Sequence, residues 1–226
     1  FENALAQGSG AGVNGSGGKI LSPLDGSTTL GQTYNHSDCG LNWVQASVHT
    51  EKRKAWTNPN GTGFPTTLTI SGLPAGNTVL QAYVWYTASY TYQGPTPPVT
   101  SVVLTNPAAT TTTLTSTMIG TDQPKCWGEA GTVVYRADFT SAISGNGNYV
   151  VNNIIGFVNA DDEVDGVTLF IIYKDNSVAY QGSLIIWDGA ISETGSNPSS
   201  MTMTGFSACA NSTYANAFVI INKDIK

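Results

Sequence analysis

The chain has 226 residues, of which 11% are charged and 40% hydrophobic, and 9 basic against 15 acidic residues leave a formal charge of −6. An average globular protein carries about 25% charged residues, so Ser, Thr, Asn and Gly must cover this surface. A coiled coil or helix bundle is excluded for want of Glu, Lys and Arg, and nine cations in a net-acidic chain argue against a nucleic-acid binder.

Residues 1–18 are Gly, Ser and Asn with scattered Ala and Val. They offer no apolar face to offset the entropy of ordering, so they read as a flexible Gly-rich arm. Phe1 to Gln7 lacks the basic start and apolar stretch of a signal peptide, as in a mature chain or an excised fragment. Residues 19–226 read as one domain, with structure beginning near Lys19, Ile20 and Leu21. His36-Ser37-Asp38 reads as a polar loop before a strand at Leu41–Val44.

Thr67–Ile70 alternates polar and apolar, and Ser71–Asn77 supplies a turn. Val79–Tyr86 is rich in aromatic and β-branched residues that suit a pleated surface. Pro95, Pro97 and Pro98 end it; Val99–Thr105 and then Thr110–Ile119 read as strands, as does Val133–Phe139. Ser141–Ser144 could add a helical turn, and Asn146-Gly147 is a hairpin signal before Tyr149–Val151. Val167–Tyr173 and Ser183–Trp187 are nearly unbroken apolar runs, the pattern of central strands buried on both sides. Lys174–Ser177 is the turn between them, and Met201–Thr204 and Ala217–Ile221 are the last strand candidates. Short strands with turn signals and no helical period predict an all-β, antiparallel, jelly-roll-like β-sandwich. No apolar run approaches the roughly 18 residues of a membrane-spanning helix.

Four blocks carry a resemblance. Ala75–Tyr86, Cys126-Trp127-Gly128 with Tyr135–Thr140, Gly145–Val151, and Asp165–Asp175 running on to Leu184–Gly189 lie in order and in register. Together, across residues 66–222, they resemble a family of bacterial and archaeal cell-surface β-sandwich domains found in secreted adhesins and sheath-like coats. The chain departs from that pattern at Asn176-Ser177, where the family has a Pro after its Tyr-x-Asp turn. The resemblance implies a secreted, surface-exposed protein and brings no catalytic residues with it.

The densest charge cluster is Asp161, Asp162, Glu163 and Asp165 before Gly166. Hard oxygen ligands in a Gly-containing loop suit Ca²⁺, which takes about six to eight oxygens, although the spacing is not that of an EF-hand. The alternative is a solvated acidic turn guarding a central strand. No other cofactor is suggested. Arg136 and Asp138 sit two apart and share a strand face, as an Arg–Asp pair holding a strand end would. Asp188-Gly189 reads as a turn in which Asp bonds its own backbone. A nucleophilic reading of His36, Ser37 and Asp38 needs convergence that sequence adjacency does not provide. His36 and His49 are also too few for a histidine metal site.

Trp43, Trp56, Tyr83, Trp85, Tyr86, Tyr90 and Tyr92 could make a sugar-stacking platform. Alternation puts Tyr83 and Trp85 on one face and Tyr86 on the other, which fits core pairs better. Tyr90 and Tyr92 are the more exposed candidates for a surface glycan. Cys39, Cys126 and Cys209 lie far apart without a CxxC motif. Outside the cell they would give one disulfide, in any of three pairings, and one odd thiol; in a reducing compartment, three thiols.

The expected function is non-enzymatic: a structural or adhesive protein of the cell surface that polymerises with copies of itself. An N-terminal strand donated to a neighbour's sheet edge would make the joint, with Lys19, Ile20, Leu21 and Leu24 the better donor residues than the Gly-rich Ala4–Val13. The alternative is a carbohydrate-binding module.

Overall fold

The computed structural model describes residues 30–50, 63–90, 99–122, 131–156 and 163–190, and the backbone of Gln7–Gly8; the side chains of Tyr90, Asp122, Gly131 and Glu163 fall outside the description. The described residues form strands and one 3₁₀ turn, Thr140–Ala142, with no α-helix among them. All strand pairs are antiparallel. The protein is an all-β sandwich, built from three sheets.

The middle sheet runs β3 (Leu41–His49), β11 (Glu163–Lys174), β5 (Thr78–Tyr90), β9 (Gly131–Asp138) and β8 (Thr117–Asp122). On one side lies the sheet β4 (Thr66–Ile70), β10 (Gly147–Ile155), β6 (Ser101–Thr105) and β7 (Thr111–Thr115). On the other lies the sheet β1 (Gln7–Gly8), β12 (Gln181–Asp188) and β2 (Gly31–Cys39).

Period-two alternation explains the layering. From β11, Val167, Leu169, Ile171 and Tyr173 join a core with Leu68, Ile70, Val102, Leu104, Tyr149 and Val151. Phe170 and Ile172 point the other way and pack with Leu41, Leu184 and Ile186 in a second core. β5 divides likewise, with Val84 and Tyr86 in the first and Tyr83 and Trp85 in the second. A middle strand therefore has no solvent-facing position, which is why these runs are apolar throughout. Each Leu, Ile or Phe buried this way contributes about 1.5–3 kcal/mol.

Two chain crossings hold the second layer. β2 passes to β3 through Gly40, and β11 passes to β12 through Asp175–Tyr180. The Gly40 N–H donates to the Tyr180 carbonyl at 2.7 Å, and the Asp175 N–H donates to the Gly40 carbonyl at 2.8 Å. Gly40 has φ +70, and a Cβ there would lie 2.1 Å from the Asp175 carbonyl oxygen.

Several elements differ from expectation. The polar stretch at His36-Ser37-Asp38 is strand, not loop, since β2 runs through it. Thr110–Ile119 is two strands: Ser116 turns the chain from the β4 sheet into the middle sheet, its N–H donating to the Thr100 carbonyl at 2.9 Å. Asn146-Gly147 makes no hairpin, because β9 and β10 belong to different sheets. Asn146 instead ties the start of β10 to the segment before β5, accepting from the Leu73 N–H at 2.9 Å and donating to its carbonyl at 2.8 Å. The strand candidates Met201–Thr204 and Ala217–Ile221 lie outside the described residues, as do Lys19, Ile20, Leu21 and Leu24.

Candidate functional site

The feature that stands apart is the outer edge of β12. Its inner edge pairs with β2 along the whole strand, from Gln181 opposite Cys39 to Asp188 opposite Gly31. On the outer edge, among the described residues, only Leu184 and Ser183 are paired, opposite Gln7 and Gly8 of β1. Edge strands are normally guarded by Lys, Pro or inward charges, because their unpaired N–H and C=O groups template further pairing. β12 reads Gln-Gly-Ser-Leu-Ile-Ile-Trp-Asp and has one charge, at its last residue.

That charge is turned inward. Asp188 Oδ2 accepts from Arg136 Nη1 at 2.5 Å and from Trp85 Nε1 at 2.9 Å. Arg136 also donates to the Thr33 hydroxyl, and its guanidinium lies 5.0 Å from the centre of the Tyr83 ring. One carboxylate thus links β12 to β9 and β5, and one guanidinium links β9 to β2. The cluster fastens the second layer to the middle sheet. Burial raises the Tyr83 phenol pKa and lifts that of Tyr34, on β2, to about 12, so both stay neutral.

This corrects two expectations. Arg136 pairs with Asp188 and not with Asp138, and Asp188 serves the inter-sheet cluster rather than its own turn. Asp138 accepts from Gln81 at 2.8 Å and from the Thr140 N–H at 2.9 Å. Burial opposes its charge, but these bonds outweigh that and hold the carboxyl below its usual range.

At the opposite end of β2, Asp38 accepts from Lys174 Nζ and from the Cys39 N–H. The Lys174 bond, then the Cys39 bond, lowers the Asp38 pKa, and the same contact raises that of Lys174. His36 lies 3.8 Å from Asp38, whereas Ser37 points to the other face and bonds Ser183 Oγ at 2.6 Å. His36, Ser37 and Asp38 therefore do not converge on one point. Cys39 is an exposed free thiol; Cys126 and Cys209 lie outside the described residues.

Of the acidic cluster, Asp161 and Asp162 lie outside the described residues, and Glu163 opens β11. Asp165 is buried, faces Ser89 Oγ at 3.4 Å, and sits where the β11–β5 ladder shifts register. Among the described residues no three His, Cys, Asp or Glu side chains gather to hold a metal.

The aromatics that are described pack with one another. Trp43 stacks on Phe170 at 5.3 Å, Tyr86 on Tyr135 at 5.3 Å, and Tyr83 tilts against Trp85 at 5.2 Å. Tyr90 ends β5, while Trp56 and Tyr92 lie outside the described residues. The position of β12 at the edge of its sheet among the described residues carried little signal in sequence, because strand pairing is a backbone property; the one readable hint is an apolar strand without a guarding charge.

No family model, no curated protein and no solved structure matches the chain.

Proposed function

We propose that this chain is a non-enzymatic structural or adhesive protein of the cell surface, secreted, and that it associates with copies of itself through strand addition by its N-terminal segment. The observation that supports the reading is β1: Gln7 and Gly8 of the N-terminal segment pair with Leu184 and Ser183 on the edge of β12 within the same chain, so this segment is able to add as a strand. The neutrality of two other edges agrees with it. β4 and β7, the two edges of their sheet, carry no charged residue and so oppose lateral association with no charge repulsion. The resemblance of the four blocks to cell-surface domains supports an assembly outside the cell.

Negative-stain imaging of the purified chain tests this reading, with a second preparation lacking residues 1–24. Fibres or sheets from the full chain, absent after deletion, are expected. A full chain that stays monomeric up to high concentration overturns the proposal.

A further inference from the structure

We infer that the outer face of the sheet β4–β10–β6–β7 is a second joint of the assembly, and that its occupant is the same face of another copy of this chain, the two sheets stacked through a two-fold contact. The inference rests on the proposed self-association and adds a lateral contact, made by side chains and independent of the N-terminal segment.

Charge singles this face out. Residues 55–121 and 139–160 contain no Asp, Glu, Lys or Arg, and all four strands lie within them. Each copy carries a formal charge of −6, so two copies repel in general, and on this sheet they can meet with no charge facing another. Leu68, Val102, Leu104, Tyr149, Val151 and Ile154 belong to the first core. Their strand neighbours Thr67, Val103, Val150 and Asn153 therefore point outward. Thr111, Thr113 and Thr115 are exposed along β7, and Ile155, opposite Ser101 at the end of β10, is 49% exposed.

The polar groups of the face are already paired within it. The hydroxyls of Thr105 and Thr111 bond each other at 2.7 Å, Asn152 Nδ2 donates to the Thr105 hydroxyl at 2.8 Å, and Thr69 donates to Asn148 Oδ1 at 3.0 Å. These bonds survive when another sheet covers them, which lowers the cost of excluding water. The same chemistry decides the occupant. A sugar site is built from concave surface and aromatic rings, whereas the outward side chains here are Thr, Ser, Asn, Val and Ile. Tyr149, the one aromatic of these strands, is buried. Short β-branched side chains suit a flat stack of two sheets about 10 Å apart.

Area sets the strength of the contact. Four strands about 4.8 Å apart and five residues of about 3.4 Å each give a footprint of about 300 Å². A lasting dimer needs about 800 Å² of surface per partner. The contact is therefore weak alone and holds where many copies are engaged at once. A two-fold contact is closed, so it doubles a fibre and adds nothing further.

The test compares the full chain with Asn153→Lys, with Asn153→Glu, and with an equal mixture of the two. Asn153 is exposed on a central strand, opposite Val103. Assembly is run at about 10 mM salt, where charges act over about 30 Å, farther than the roughly 20 Å width of the face. Mass per length of the fibres, from scanning transmission electron microscopy, is the readout, and circular dichroism melts establish that each variant is folded. Fibres of the parent two subunits thick are expected, with half that mass per length in either variant and the full value restored in the mixture. Variants as thick as the parent overturn the inference and leave the face to a ligand such as a neutral polysaccharide. A parent already one subunit thick overturns it as well, while strand addition stands. Thinning that the mixture does not restore removes the shared face as its cause and also overturns the inference. A parent that stays monomeric overturns the proposed function too. Thr113→Lys and Thr113→Glu, at an exposed position on β7, repeat the comparison should the Asn153 variants fail to fold.

Discussion

Replacing Asp188 by Ala perturbs three strands at once. The carboxylate is 10% exposed and its Arg136 partner 14%, so the pair is largely desolvated. Removing one member of such a pair leaves the other charge uncompensated, at a cost of about 3–5 kcal/mol. Thr33 remains as a neutral acceptor for Arg136, but Trp85 Nε1 loses its partner, an expense of about 1–3 kcal/mol that overlaps the first and is not added to it. The expected loss is therefore about 3–5 kcal/mol, or roughly 6–20 °C in Tm for a chain of this size. Urea unfolding followed by circular dichroism measures it. Arg136→Met with Asp188→Leu removes both charges and should recover most of the loss, since a buried ion pair is of little net worth against apolar replacements. A single variant within about 1 kcal/mol of the parent would refute the role given to the cluster, and a double variant no better than the single would refute the electrostatic account of it.

Two glycines with nearly the same backbone angle separate strain from contact. Gly40 and Gly76 have φ +70 and +71, but only at Gly40 does a Cβ meet backbone. Gly76→Ala should cost about 1 kcal/mol in urea unfolding and Gly40→Ala several times that; equal costs would remove the close crossing at Asp175 as the cause. Asp38 has a lowered pKa in the fold, so its contribution is present at neutral pH and is lost as the pH falls through the folded value, below the ordinary carboxylate range. Acid melts from pH 5 to 2 should fall more steeply in the parent than in Lys174→Met, and parallel curves would count against the ion pair. Cys39 should react with a thiol reagent in the folded protein without denaturant, with Cys39→Ser lacking that fast phase. A slow reaction of the parent would contradict its exposure.

The middle sheet was legible because it is buried on both faces: Val167–Tyr173 has no polar alternation to mislead, and β11 contains it whole. β2 was not, because Gly-Gln-Thr-Tyr-Asn-His-Ser-Asp-Cys is polar and only half-buried, and its strand conformation comes from pairing with β12. The break at Ser116 was hidden for a related reason. The chain there changes sheet without changing composition, so Thr110–Ile119 looks like one strand. Arg136 shows the limit of local reading at a site: Asp138 shares its strand, but the partner that geometry supplies is Asp188, at the end of a different sheet. β1 has no signature in sequence, since the pairing of Gln7 and Gly8 with β12 is a property of the backbone ladder.

Stacking three sheets has a mechanical consequence. β11 is hydrogen-bonded to β3 along one side and to β5 along the other, and its side chains interlock with both outer layers. A pull along its axis loads both ladders in shear, with many bonds sharing the force, whereas a pull across an outer edge opens bonds one after another. The interior strand is the stiff direction of the molecule. A subunit joined to its neighbours along that direction would carry tension through its most strongly bonded part.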